Sequence, residues 1–500
     1  MRVVGIAALG LSVAIGLGAV DSTFATEPVS PTATTATPTP AQAANAPETG
    51  GAVSEASAPQ ATTVANGVVL ESTFARPIKG IASYKYRDYT LLEDMNRLIG
   101  QSYKGKSKAQ RKKIKIRITI SRMENSTLIR NALVKASRAG VDIRIIHGVD
   151  SQSKESKYVQ RNVKKGQFKI CKKGKSHACL STRRGAIAHT KMLLISETKT
   201  RSGDVAKNVV WTSSSNLGGP SGAQTYNNAL TIYNDPKLFV QMQGLFDDMW
   251  HERSPAGRTA SGAKYSNDYL EWLKEKARYA ASHPGTTASK AGNAYARSQP
   301  AKNGMFYSKD AKTTIYVTPI KATPSNGKDP VMAALNRVIP GDDCRIRVMH
   351  NRFKYRRLAV AQKLVQLAND GCKVSVIAFE DDLKVNRTAH CQLYIRICRP
   401  ILDEFRTAND HIEVAWAKPH DKTMLIEARM KPNKLNPEEP APDPNKPVTL
   451  VQAGSAALTG SNLVDSDELT TENTDEIVYA DYLQHWKAIW KSRDHKNYAY

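Results

Sequence analysis

Two short runs of this chain set a histidine and a lysine two residues apart at the head of an apolar stretch. The first is Ala188-His189-Thr190-Lys191-Met192-Leu193-Leu194-Ile195; the second, 231 residues further on, is Pro419-His420-Asp421-Lys422-Thr423-Met424-Leu425-Ile426. In an extended strand, residues i and i+2 face the same side, so each run presents an imidazole beside an ammonium group. Four such groups can break a phosphodiester without a metal. One neutral, oriented imidazole attacks phosphorus and becomes a phosphohistidine. The other protonates the leaving oxygen, then takes a proton from the water or alcohol that resolves the intermediate. Lys191 and Lys422 would hold the non-bridging oxygens. A second match follows each run, Ser213-Ser214-Ser215-Asn216-Leu217 and Thr459-Gly460-Ser461-Asn462-Leu463. Its Ser214, Asn216, Ser461 and Asn462 are read as donors to the phosphate, with turn formation the competing role for the serines. Asn228, eleven residues past Leu217, and Asn473, ten past Leu463, are added as orienting residues. Glu427 and Asp475 are candidate supporting carboxylates, with a local ion pair the rival role for Glu427.

These groups need elements to position them. Residues 116–120 alternate as a strand, 125–139 have helical spacing, Gly140 ends the helix, and 141–146 read as the next strand. The same order returns at 345–349, 358–368, Gly371 and 373–378, at an offset near 231 residues. Matching units in matching order argue for duplication of a whole lobe. The expected fold class is α/β: two pseudo-symmetric lobes, each a mixed β-sheet flanked by helices, with the active site at the lobe interface.

The paired His-x-Lys motifs, each followed by its Ser/Asn-Leu match, resemble the phospholipase D superfamily over residues 74–490. The resemblance implies that His189 is the nucleophile and His420 the acid, and that no cofactor is needed. The family's full motif is His-x-Lys-x4-Asp, and here the last position is Ser196 in one copy and Glu427 in the other. The tyrosyl-DNA phosphodiesterase branch also lacks that Asp. The activity expected is a phospholipase D-like phosphodiesterase that hydrolyses phospholipids or transfers them to an alcohol. The alternatives are a nuclease of the same superfamily acting on DNA or RNA, and a non-catalytic binder of phosphorylated ligands.

Composition bounds these readings. The chain has 500 residues, 41% hydrophobic and 24% charged, which is ordinary for a globular protein and excludes wholesale disorder. Lys and Arg total 72 against 46 Asp and Glu, a net +26 that favours polyanionic partners: a phospholipid membrane surface or nucleic acid. Basic runs at 104–115, 164–175 and 352–357 fit the same partners, or a solvated face. An apolar run after Arg2 reads as a signal peptide over 1–25, which implies a secreted, extracellular protein. A Pro/Thr/Ala-rich linker or pro-segment over 26–66 would follow, then lobes over 67–300 and 301–500, in a monomer. Six cysteines suit an oxidising compartment. Of fifteen pairings, Cys171–Cys179 and Cys391–Cys398 are expected as local ones, leaving Cys344–Cys372. No Cys-x-x-Cys occurs, so no zinc site is expected.

Overall fold

A computed structural model describes residues 62–77, 87–148, 152–171, 176–181, 185–252, 305–319, 328–379, 397–408 and 412–491. The expected signal segment, most of the expected linker, the junction between lobes near residue 300, and Cys391 lie outside the described residues.

The first lobe holds β1 (Thr62–Thr63), β2 (Val69–Ala75), β3 (Lys115–Ile120), β4 (Asp142–His147), β5 (Phe168–Ile170), β6 (Met192–Lys199), β7 (Val205–Ser213) and β8 (Asn227–Tyr233). They form one sheet in the order β1-β2-β8-β7-β6-β3-β4-β5. Its helices are α1 (Thr90–Tyr103), α2 (Lys108–Lys113), α3 (Thr127–Arg138), α4 (Lys154–Asn162) and α5 (Pro236–Trp250). The second lobe holds β9 (Met305–Ser308), β10 (Thr313–Thr318), β11 (Val338–Ile339), β12 (Arg345–His350), β13 (Lys373–Phe379), β14 (Ile412–Ala417), β15 (Lys422–Met430), β16 (Val448–Gly454) and β17 (Glu468–Asn473). Its helices are α6 (Pro330–Arg337), α7 (Leu358–Asn369), α8 (Arg399–Arg406), α9 (Gly460–Val464) and α10 (Glu476–Lys491). Its main sheet runs β14-β13-β12-β15-β16-β17-β10-β9, the same order read backwards. In both sheets three strands pair in parallel (β3-β4-β5 and β12-β13-β14) and the rest pair antiparallel. The repeat in the sequence is therefore a repeat of topology. Thr62 and Thr63, expected in the linker, instead pair with β2 at the sheet edge, and Val64 packs on the core.

Three apolar cores explain the layering. Met192 and Leu194 of β6 enter the core shared between the lobes, whereas Leu193 and Ile195 face the outer core under α1 and α3. Alternation works the same way in β15: Leu425 faces the shared core, Met424 and Ile426 the outer core under α7 and α8. A strand buried on both faces reads as a continuous apolar run, which is how both motifs end. In α3, Ile129, Ala132, Leu133 and Ala136 form the buried stripe, and Gly140 at φ +93° takes the left-handed turn that ends it. Helices α5 and α10 belong to the shared core through Phe246, Met249, Tyr482 and Trp486.

Disulfides join Cys171 to Cys179 and Cys344 to Cys372, as expected. Cys398 is also disulfide-bonded, and its expected partner Cys391 lies outside the described residues. Among the described residues no helix is long and apolar enough to cross a membrane.

Candidate active site

The two motifs meet by exchanging partners across the lobes. His189 stands just before β6, and its backbone N–H donates to the Asp467 carbonyl at 2.9 Å; Asp467 N–H donates back to Ile187 at 3.0 Å. His420 stands just before β15, and its N–H donates to the Tyr226 carbonyl at 2.9 Å. Each histidine is thus stitched to the residue that precedes an inner strand of the opposite lobe. The next residue along that strand reaches the ring. Glu468, first in β17, lies 2.8 and 2.9 Å from His189 Nδ1 through its two carboxylate oxygens. Asn227, first in β8, holds its Oδ1 at 3.0 Å from His420 Nδ1.

The network fixes which atoms face the rings. Asn227 Nδ2 donates to Ser221 O, Thr225 O and Thr225 Oγ1 at 2.8–3.1 Å. Its oxygen must therefore be the atom that meets His420 and accepts from Ser214 Oγ at 3.0 Å. With Nδ1–H turned toward its oxygen partner in each ring, Nε2 is left for chemistry; Lys422 Nζ also stands 3.2 Å from His420 Nδ1. Close backbone approach makes this geometry dependent on two glycines. A Cβ on Gly148 would stand 1.7 Å from the carbonyl oxygen of Ala188, next to His189. One on Gly454, at φ +139°, would stand 2.5 Å from the Leu469 carbonyl, next to Glu468. Asp467 adds a further tie: its buried carboxylate accepts the N–H groups of Cys179, Leu180 and Ser181 at 2.6–3.4 Å, anchoring the first disulfide loop to the second lobe.

Both lysines are buried, and each turns back on its own histidine. Lys191 Nζ donates to His189 O at 2.6 Å; Lys422 Nζ donates to His420 O at 2.5 Å and to Ser214 O at 3.3 Å. Burial pushes Lys191 down to about 7, against the pull of Glu468. Burial, then the Lys191 charge, holds Lys422 well below its ordinary value. Glu468 is raised to about 7 by burial, opposed by Lys191. His189 is held well below its ordinary value, first by burial and then by Lys191, Lys422, Arg352 and Arg122, so its ring is neutral.

His189, His420 and Lys422 line one cleft of about 520 Å3, together with Asn216, Ser461, Asn462, Arg122 and Arg352. Of the residues picked from the sequence, His189, His420, Lys422, Asn216, Ser461 and Asn462 therefore border one space, and Lys191 sits against His189. Asn216 Oδ1 has no hydrogen-bond partner among the described residues; with the amide turned, its nitrogen becomes a donor to a ligand. Asn462 donates to Glu468 and so orients the carboxylate. Ser214 lies behind His420, accepting from Asn228 N–H and donating to Asn227, so it orients rather than faces a phosphate.

Four picks stand elsewhere. Asn228 points behind the cleft, donating to Asp421 and to Thr423 Oγ1. Asn473 ends β17 and donates to Ala311 O and Thr313 Oγ1. Asp475 caps α10 through Ile477 and Val478 N–H and pairs with Lys312 at 3.1 Å. Glu427 accepts from Tyr479 OH at 3.3 Å near the other end of β15 from Lys422. The residues missed are Asn227 and Glu468. They stand ten residues past Leu217 and five past Leu463, because the first lobe inserts the wide helical turn Gly219–Ala223 before its strand. Equal spacing pointed to the wrong side chains. A polar residue opening the strand after each Asn-Leu match was the signal to follow.

Residues 107–250 match a family model described as cardiolipin synthase, PLD-like domain. No curated protein sequence matches the chain. Among solved structures, polyphosphate kinase from Porphyromonas gingivalis aligns at 11% identity and a TM-score of 0.43, over 86% of this chain and 52% of that one. The chain thus spans about half the length of that kinase. Phosphatidylserine synthase from Haemophilus influenzae aligns at 10% identity and TM-score 0.43, over 81% and 85%. A phospholipase D family member from Salmonella typhimurium aligns at 16% identity and TM-score 0.24, over 37% and 97%. The family model matches within the first lobe, and that lobe's strand order and His-x-Lys motif recur in the second, so both lobes are similar to the phospholipase D superfamily.

Proposed function

We propose that this protein is a phosphodiesterase working through a covalent phosphohistidine on His189. The observation that carries the assignment is the unlike pair of ring partners: a carboxylate on His189, a carboxamide on His420. Attack by His189 Nε2 on phosphorus leaves that ring cationic, and the Glu468 carboxylate compensates the charge as it forms. A neutral carboxamide gives the protonated His420 no such compensation, so its Nε2–H is the better proton donor. In the first step the Nε2–P bond forms, the P–O bond to the leaving group breaks, and His420 protonates the departing oxygen. In the second, His420 takes a proton from water, whose oxygen displaces His189 from phosphorus. An alcohol in place of water gives transfer. Lys191 and Lys422, depressed while the cleft lacks an anion, regain charge when a phosphate enters.

The finer reading is a phospholipid substrate outside the cell. The description of the matched family model and the predicted export segment support it, as do the two described disulfides. Nucleic acid is the second reading, favoured by Arg122 and Arg352 on the cleft and by the +26 charge. The test is turnover in EDTA of bis(4-nitrophenyl) phosphate, phosphatidylcholine vesicles and DNA, side by side. Choline release supports the phospholipid reading, and DNA loss alone moves the substrate to nucleic acid. No turnover of any of the three by folded protein overturns the phosphodiesterase assignment.

A further inference from the structure

Behind the second motif lies a buried acid–imidazole pair that the proposed reaction does not use. Asp421 stands between His420 and Lys422, and His485 lies on α10; both are fully enclosed. His485 Nε2 is 3.0 Å from Asp421 Oδ2, and Arg76 Nε donates to His485 Nδ1 at 3.1 Å. An arginine only donates, so Nδ1 is the acceptor and Nε2 carries the proton toward Asp421. Asn228 Nδ2 donates to the other carboxylate oxygen. Both oxygens of Asp421 thus accept, which favours its ionised form. Burial holds His485 below its ordinary value, against the pull of Asp421, and Phe74 stacks on its ring with centroids 4.4 Å apart. With both ring nitrogens engaged, His485 is a holding group and not a second base.

The same contacts reach Lys422. Its Nζ donates to the carbonyls of His420 and Ser214. His420 adjoins Asp421 in the chain, and Ser214 Oγ accepts the N–H of the same Asn228 whose amide holds Asp421. Asp421 is therefore tied to both carbonyls that hold the ammonium group. It also sets a negative charge beside that group, in an interior where charges act strongly. Burial lowers Lys422, and Glu468 and Asp421 oppose it.

The first lobe supplies an internal control. Thr190 stands where Asp421 does, between His189 and Lys191; it is buried, and its Oγ1 has no hydrogen-bond partner among the described residues. Phe246 and Trp250 stack on α5 as Trp486 and Trp490 do on α10. The residue before each stack is Leu245 in the first lobe and His485 in the second. A hydroxyl and an aliphatic side chain of one lobe are thus a carboxylate and an imidazole of the other, and those two touch. The fold accepts the uncharged pair, so the buried charge is not a requirement of the frame.

We propose that Asp421 and His485 form a positioning dyad that holds Lys422 as an ammonium group for the substrate phosphate. The inference rests on the reading of Lys422 as a phosphate-binding group. The test uses the full chain, with inorganic phosphate titrated calorimetrically, kcat and KM for bis(4-nitrophenyl) phosphate, and urea unfolding. His485→Leu should weaken phosphate binding about fivefold or more and lower kcat/KM about tenfold or more, mostly through KM. His485→Gln, which still donates to Asp421 and accepts from Arg76, should restore most of both. Asp421→Thr with His485→Leu installs the first lobe's pair and leaves no buried carboxylate short of a donor. Its urea midpoint should recover from that of His485→Leu while phosphate binding stays weak. Asp421→Asn keeps the shape and removes the charge, so it should also weaken phosphate binding, and it serves if His485→Leu misfolds. Phosphate affinity that follows the urea midpoint across the variants, or that is unchanged in Asp421→Asn, overturns the proposal. So does absence of phosphate binding by the parent chain. Lack of turnover by a parent chain that binds phosphate counts against the phosphodiesterase reading instead, and the titrations then decide the dyad alone.

Discussion

The two lobes share strand order, motif and core layering, yet they differ wherever charge matters. The first lobe lends His420 a carboxamide; the second lends His189 a carboxylate. Asp142 and Asp247 beside the aromatic stack of the first lobe stand where the second lobe has Lys373 and Lys487. Duplication supplies two equal frames for holding an imidazole beside an ammonium group, and single side chains then make the frames unequal. A symmetric site would present two competent nucleophiles and no preferred acid. In the proposed mechanism one carboxylate, Glu468, removes the tie.

Breaking the two histidines separately gives the largest expected contrast. His189→Ala should lower kcat by about 10⁴-fold or more and give no covalent adduct. His420→Ala should cost roughly 10²–10⁴-fold and let a phosphorylated His189 accumulate, seen by mass spectrometry of the quenched protein. Equal losses, with no adduct in either variant, would show that the roles are not divided in this way. Next in size are the ring partners. Glu468→Gln should lower kcat by roughly 10- to 100-fold, with Asn227→Ala costing less within that range, measured at saturating substrate. The pH profile sharpens the contrast further. Lys191, at about 7, loses its charge as pH rises, and Glu468, also at about 7, loses its charge as pH falls, so kcat/KM should peak near pH 7 and fall on both sides. His189, held well below its ordinary value, should contribute no acid limb near its usual pKa. Lys191→Arg should move the alkaline limb upward. The smallest expected effect concerns the staples. Removing Cys344–Cys372, which closes 28 residues, should cost about 1 kcal/mol more in chemical denaturation than removing Cys171–Cys179, which closes 8.

Much of this was legible in the chain. Repetition at 231 residues located both central strand–helix–strand units and both His-x-Lys motifs, because burial on two faces leaves a continuous apolar run after each lysine. Asn216 and Asn462 were legible for the same reason: they recur with the frame. The ring partners were not. Glu468 touches a histidine 279 residues earlier, and Asn227 one 193 residues later. No local periodicity reports such pairing, and the inserted turn Gly219–Ala223 shifted the spacing that would have aligned them. Asn473 reads as an orienting residue and Asp475 as a supporting carboxylate because both are polar and close to a strand end; the structure uses them to fix and cap the start of α10.

The crossed stitching of His189 to Asp467 and of His420 to Tyr226 has a consequence for inheritance. Each half of the gene encodes a histidine whose ring partner comes from the other half. Two separately expressed halves would be inert until they reassociated, and a spare copy of either half could not drift toward a trade of its own. A change at Glu468 is read out at His189 and one at Asn227 at His420, so the two halves vary as a single unit.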